Sequence, residues 1–243
     1  MPFTLAHPAI VLPLAKNKKL PLQALIIGSM APDFEFYLQL REVQNIGHSF
    51  FGFICIDIPI GIFALYVYNN YIRYFLRTIT PNKILYKCNT LAYSYSTSRK
   101  NLFNLNNIIA LVIGISSHLF LDLFTHHYSI LIDVIPQLNY NYNLLNFDVK
   151  LYEINQILFS LIGLAIILFS IFKIKPTISS NSSIHKKNLF FFCLLGILIF
   201  LSRLYFFQEY NTFWSIVIAA IGSIMYSLTI NAIITKLIHL NHK

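Results

Sequence analysis

NNIIALVIGISSHLFLDLFTHHYSI, residues 106–130, decides the fold. It is long and apolar enough to cross about 30 Å of hydrocarbon as a helix, which takes roughly 20 residues. Yet its second half carries His118, Asp122, His126 and His127. His118 and Asp122 stand four apart and so share one helix face, a stripe that Thr125 and His126 continue. An ionisable side chain inside an apolar span is costly and by default marks a functional site. The segment therefore reads as a spanning helix whose polar stripe faces a bundle interior.

Four further runs can each span a bilayer: 49–72, 154–174, 188–207 and 212–235. Their length and lack of alternation exclude a strand barrel. Composition agrees. The 243 residues are 56% hydrophobic and only 11% charged, against about 25% charged in ordinary soluble domains. Mean hydropathy is +0.63. The expected architecture is all-α: a polytopic membrane helical bundle with five clear transmembrane helices. It forms a single membrane domain over 1–243, with a motif-bearing half at 1–130 and three further helical segments at 131–243. No cleavable signal is visible, because the bases Lys16, Lys18 and Lys19 follow the first apolar stretch instead of preceding it.

The N-terminal region is less regular. Residues 20–40, LPLQALIIGSMAPDFEFYLQL, are interrupted by Gly28 and Pro32 and carry Asp33 and Glu35. Residues 4–15 suggest a short apolar helix, with Thr4 as N-cap and Pro8 in its first turn. If 20–40 spans, His7 lies near the inner face and His48 near the outer. If 4–40 is a broken, re-entrant hairpin, His7 and Asp33 reach the depth of His48. Irregular backbone at membrane depth is tolerated where it lines a cavity or is buried in protein. The re-entrant arrangement is the one expected.

The net charge of +9 raises the question of nucleic acid. Its distribution answers it. Fifteen of the 18 Lys and Arg residues fall in 16–19, 73–100, 173–187 and 236–243; only Arg41, Lys150 and Arg203 lie in the alternate connections. That alternation is an orientation signal placing the basic set in the cytoplasm. The expected partner is membrane lipid, not nucleic acid, and the expected location is the cell inner membrane. The polar stretch 76–104 reads as a cytoplasmic loop and 131–153 as an outer loop. Cys55, Cys88 and Cys193 have no CxxC spacing and read as packing residues.

Candidate chemistry gathers in few places. His118 and Asp122 can ligate one divalent ion from a single helix face; the plainer alternative is a hydrogen bond that locks helix packing. In GSMAPDFE, 28–35, Asp33 and Glu35 flank a helix break and suit metal ligation or proton exchange, or Asp33 is an interfacial cap. His48 starts a spanning helix in GHSFFG, and His7 sits in MPFTLAHP; each matters only in company with the others. His127, His185, His239 and His242 read as water-facing. Asp57, nine residues past His48, reads as a packing partner on the opposite helix face.

At these residues the chain resembles an uncharacterised bacterial membrane family with the pattern MPFTxxHP, GSMxPDxE, H-T/S-xxG and SHxxxDxFTH over roughly the first 130 residues. More distantly it resembles the YdjM-like inner-membrane proteins, described as membrane-bound metal-dependent hydrolases and related to the zinc-dependent phospholipase C fold. The resemblance implies that His7, Asp33, His48, His118 and Asp122 are metal ligands, zinc above all. His126 would then be a supporting residue or proton donor, with Glu35 the other catalytic candidate. No further HxxxE pair completes a three-zinc cluster, and Glu153 and Gln156 are the polar candidates on the next helix. The expected function is a metal-dependent hydrolase, possibly acting on a lipid-linked phosphoester. The alternative is a transporter or proton-coupled protein in which His118 and Asp122 relay protons.

The charge asymmetry predicts that a cysteine placed at Tyr95, in a variant lacking the native cysteines, is shielded in intact cells from a membrane-impermeant maleimide. It should label after permeabilisation. Labelling of intact cells would reverse the topology.

Overall fold

The structure, a computed structural model, describes residues 3–43, 47–82, 84–87, 102–126, 129–144, 147–175, 184–208 and 212–241. The chain opens with three short helices, α1 (Pro8–Val11), α2 (Leu22–Met30) and α3 (Phe34–Gln39). Next come two long ones, α4 (Phe53–Ile79) and α5 (Leu105–Asp122). The short α6 (Ile130–Val134) and an antiparallel hairpin, β1 (Asn141–Leu144) with β2 (Phe147–Lys150), precede α7 (Leu151–Lys173), α8 (Lys186–Phe206) and α9 (Phe213–Asn241). Among the described residues, five helices, α4, α5, α7, α8 and α9, are long and apolar enough to cross a membrane. The protein is an all-α, multi-pass membrane bundle.

Its centre is the crossing of α2 and α5. A Cβ at Gly114 would stand 2.5 Å from the Leu25 carbonyl oxygen and 2.7 Å from the Ser29 nitrogen, and one at Gly28 would overlap the Leu111 carbonyl. The two helices touch backbone to backbone, which lipid-solvated helices achieve with small residues because burial from lipid supplies no hydrophobic drive. Val11, Ala24, Leu25, Leu65, Ala110 and Leu111 close around that contact, and α4 completes the trio. A second cluster, including Phe34, Tyr37, Ile115 and Ile218, ties α3 to α5 and α9. The outer helices α7 and α8 leave large apolar side chains such as Phe169, Phe172, Phe190 and Leu201 exposed. In water that surface would be an interaction patch; here it is the lipid-facing wall.

Residues 4–40 are a hairpin, as the re-entrant arrangement requires. With nine residues, α2 rises only about 14 Å at 1.5 Å per residue, too little to span. Pro32 sits in the 3-10 turn Ala31–Asp33 that ends it. The hairpin's first limb brings His7 and its second brings Asp33 to His118 on α5, where His48 from the turn before α4 joins them.

Several local expectations are corrected. Residues 4–15 are not one helix: 3-10 turns Thr4–Ala6 and Leu12–Lys16 flank α1, and Pro8 and Pro13 deny the backbone donors a longer helix needs. Thr4 does not cap, because its hydroxyl is taken by Asp33. His48 precedes the helical turn Phe50–Gly52 that leads into α4 instead of starting the helix; the N-cap of that turn is Ser49, whose hydroxyl accepts from Gly52 N–H at 2.9 Å. The stripe of residues 118–126 stops being helical after Asp122. Ser129 Oγ donates to Leu123 O at 2.5 Å and Asn155 Nδ2 to Phe124 O at 3.3 Å, taking up carbonyls that a continuing helix would use. Cys55 and Cys193 are exposed on helices instead of packed. The loop 131–153 contains α6, a 3-10 turn and the hairpin. Cys88, His127, His242 and most of 76–104 lie outside the described residues.

The α2–α5 contact predicts the effect of two glycine substitutions. Gly114→Ala should destabilise the detergent-purified protein by about 1–3 kcal/mol, the usual range for forced overpacking. Gly196→Ala, whose nearest neighbour would be Ser227 Cβ at 3.6 Å, should be close to neutral. Thermal denaturation of the two variants side by side checks this, and equal melting would refute the close crossing.

Candidate metal centre

Four elements deliver side chains to one point inside the end of the bundle where α5 finishes. The turn before α1 brings His7, the break between α2 and α3 brings Asp33, the turn before α4 brings His48, and the last turn of α5 brings His118 and Asp122. His7, Asp33 and His118 have no exposed surface; Asp122, His126 and the His48 side chain keep only a few per cent.

The donor atoms converge. His48 Nε2 lies 2.8 Å from Asp122 Oδ2, 3.2 Å from His118 Nε2 and 3.8 Å from Asp33 Oδ1. His118 Nε2 lies 3.2 Å from Asp122 Oδ2 and 3.4 Å from Asp33 Oδ1. Four ligands arranged tetrahedrally at bonds of about 2.0–2.1 Å stand about 3.3–3.4 Å apart. The separations of His48 and His118 from each other and from the two carboxylates straddle that value, which fits a divalent cation. Neither Asp122 oxygen makes a well-formed hydrogen bond despite the short distances, and Asp33 Oδ1 has no hydrogen-bond partner. Buried carboxylate oxygens are rarely left so; lone pairs aimed at a common point are what a cation site requires.

The surroundings orient these donors. His118 Nδ1 is 2.8 Å from the Ser29 carbonyl, which only accepts, so Nδ1 carries the proton and Nε2 keeps its lone pair for the site. Tyr37 O–H donates to Thr4 Oγ1, and Thr4 O–H donates to Asp33 Oδ2. That chain holds one Asp33 oxygen and leaves the other facing the imidazoles. Burial raises the Tyr37 phenol above its ordinary range, which keeps it a donor. His48 sits at φ 63°, in the left-handed region that a non-glycine residue occupies at a cost and that recurs at functional sites. Glu35 Oε2 accepts from the Gly47 N–H at 2.8 Å, immediately before it.

His126 folds back over the helix end, with Nδ1 3.2 Å from Asp122 O, 3.1 Å from Thr125 Oγ1 and 3.5 Å from Asp122 Oδ1. Burial lowers the pKa of His126 to about 4 and that of His7 to about 3, so both imidazoles are neutral at neutral pH.

All five residues expected as ligands are thus brought together. Asp33 stands at the N-cap of α3 but makes no capping bond, which removes the simple cap reading. Glu35 is engaged with the His48 loop. Asp57 is buried with one oxygen lacking a partner; with His48 off the helix, the opposite-face argument no longer applies to it. Glu153 caps α7, accepting from Lys150 N–H at 3.0 Å, and so does not extend the ligand set. Sequence reasoning missed Tyr37 and the true role of Thr4. The i, i+4 relation of Asp33 to Tyr37 was the available signal.

Fold and site together define a multi-pass membrane helical bundle with a buried His/Asp donor cluster. The chain belongs to the family described as a domain of unknown function, DUF4184, which matches residues 1–237. No curated protein and no solved structure matches it.

The Tyr37–Thr4–Asp33 chain predicts that Thr4→Val, similar in shape but lacking the hydroxyl, weakens divalent-metal affinity about 10–100-fold, as losing a group that orients a ligand typically does. Isothermal titration with zinc measures it. Unchanged affinity would show that Asp33 needs no such support.

Proposed function

We propose that this protein is a membrane-embedded metal-dependent hydrolase of the bacterial inner membrane, acting on a lipid-linked phosphoester. The observation that carries the reading is the convergence of Asp33 Oδ1, His48 Nε2, His118 Nε2 and Asp122 Oδ2 at ligand-to-ligand spacing. Two imidazoles with two carboxylates suit zinc best among common divalent ions, and nitrogen with oxygen donors also accommodate its neighbours. Such a cation supplies polarisation of a phosphoryl oxygen and a water acidified towards neutrality.

The chain's own residues do the rest. Asp33, His48, His118 and Asp122 hold the ion; Ser29, Thr4 and Tyr37 fix the lone pairs that face it. His126, neutral and beside Asp122, is placed to hand a proton to a leaving group once it has taken one up. Glu35 holds the loop that presents His48, a positioning role in place of the proton exchange expected of it. The slight exposure lies at His48, Asp122 and His126, which makes that side the approach for a substrate and for a further ligand on the ion. Lipid-facing walls around the site favour an amphiphile whose headgroup reaches the donors. A proton relay is less well supported, since a relay lines donors and acceptors in file while these lone pairs share one point.

Wild-type protein should be stabilised by about 2.7 kcal/mol when free zinc is one hundred times its dissociation constant. Asp122→Asn, which keeps the shape but loses the anionic ligand, should lose both the shift and the bound metal. Lipid-linked phosphoesters in mixed micelles should be cleaved by the wild type only with metal present. A wild type that binds no divalent metal would sink the reading; binding without turnover would leave a metal site and no hydrolase.

A further inference from the structure

The segment that leaves the site after His126 is more apolar than a water-facing loop has reason to be. At about 100° per residue, the half-buried Leu131 and Ile132 of α6 turn towards the protein. Ile130 and Val134 share the far flank, 73% and 68% exposed, within about 40° of each other. Ile135 adds to them, and the exposed Asp133 borders Ile130 on the other side. Single exposed aliphatics are ordinary on a protein surface, whereas a contiguous patch marks an interaction site.

Three features of its surroundings say what covers that flank. The turn Pro136–Asn139, with Leu138 buried, packs on both α6 and α7. The flank therefore adjoins the lipid-facing wall that begins at Ile157, Leu158 and Leu161. Exposed aromatic side chains gather at the same end. Arg203 Nε donates to Leu40 O and Glu42 N–H to Ser215 Oγ, which ties the end of α8 and the start of α9 to the chain running towards His48. Tyr205, Phe206, Phe213 and Trp214 are exposed there, and Tyr140 and Tyr142 directly after the turn. Tyrosine and tryptophan collect where hydrocarbon meets headgroups. Finally, residues 130–153 carry Asp133, Asp148 and Glu153 against a single base, Lys150. Apolar burial, not attraction to anionic headgroups, is what such a segment offers a membrane.

We propose that α6 and the turn Pro136–Asn139 form an interfacial foot, seated between the acyl chains and the headgroups of the leaflet at the end where α5 finishes. Ile130, Val134 and Ile135 face the acyl chains, and Asp133 faces water. Elements lying in this boundary are held by the apolar area they bury there. The partner is a bilayer surface of zwitterionic lipid. Ser129 Oγ, donating to Leu123 O, fixes where the foot begins, three residues past His126. The slightly exposed edge formed by His48, Asp122 and His126 then stands beside the headgroups, within reach of an amphiphile that never leaves the membrane. The foot holds whether or not the donor cluster binds a metal, so it stands apart from the hydrolase reading.

The test places single cysteines, in the full chain lacking its native ones, by Ile130→Cys, Asp133→Cys, Val134→Cys, Asn143→Cys and Phe169→Cys. Each is spin-labelled and reconstituted in phosphatidylcholine vesicles. Electron paramagnetic resonance then compares access by oxygen, which concentrates in hydrocarbon, with access by a water-soluble nickel chelate. Phe169, exposed on the wall of α7, is the lipid reference, and Asn143, exposed on β1, the water reference. Positions 130 and 134 should show an oxygen-to-nickel ratio several-fold above that at 143 and below that at 169, with position 133 close to 143. Ratios at 130 and 134 equal to that at 143 would put the segment in water and overturn the foot. Access by neither reagent, with dipolar broadening between labels, would show that a second copy covers the flank and overturn it too. A high ratio that appears only when phosphatidylglycerol is added would overturn seating by apolar burial.

Discussion

The backbone contact between α2 and α5 is the constraint on which the rest of the molecule depends. Gly28 and Gly114 let the two helices approach until carbonyls and amide nitrogens touch. At that distance the Ser29 carbonyl reaches His118 Nδ1, and the break after Met30 drops Asp33 beside His118 Nε2. A wider crossing would leave that carbonyl and that imidazole unmatched in a low-dielectric interior, where each lost bond is expensive. The close approach and the site are therefore one structural fact.

Around that crossing the protein accumulates polar groups that an apolar bundle should avoid. His7, Asp33, His118 and Asp122 are buried, and several of their atoms have no hydrogen bond. Several other buried polar groups in the bundle are satisfied in ordinary ways. Ser227 donates to Phe192 O at 2.6 Å, Asn231 to Ser227 O at 2.9 Å, and Arg203 Nε to Leu40 O at 2.8 Å. The contrast is local. Among the described residues such atoms concentrate where the four donor-bearing segments meet, and the proposed cation site rests on that concentration.

How much of this was legible in the sequence depends on how local the cause was. The spanning helices were, because length and hydropathy are properties of a single segment. The pair His118 and Asp122 was, because four residues on one helix is a fixed spatial relation. The membership of His7, Asp33 and His48 was legible only as a concentration of rare residue types. Thr4 was misread as a cap, because a hydroxyl three residues before an apolar run fits that role equally well until Asp33 is known to lie above it. The end of α5 at Asp122 was missed because its stopping bonds come from Ser129 and Asn155, the latter on another helix.

By itself, then, the sequence determined a membrane helical bundle, its run of spanning segments and the residues with the chemistry to hold a cation. These follow from segment composition and from helix periodicity, which need no partner. Only the tertiary structure decided which oxygens and nitrogens face one another and that His48 adopts a left-handed backbone. It alone stacked His7 on His118. Those are relations between segments as far apart in the chain as His7 and His118, set by how closely two glycine faces pack and where a proline turn ends a helix. No periodicity along the chain encodes such distances.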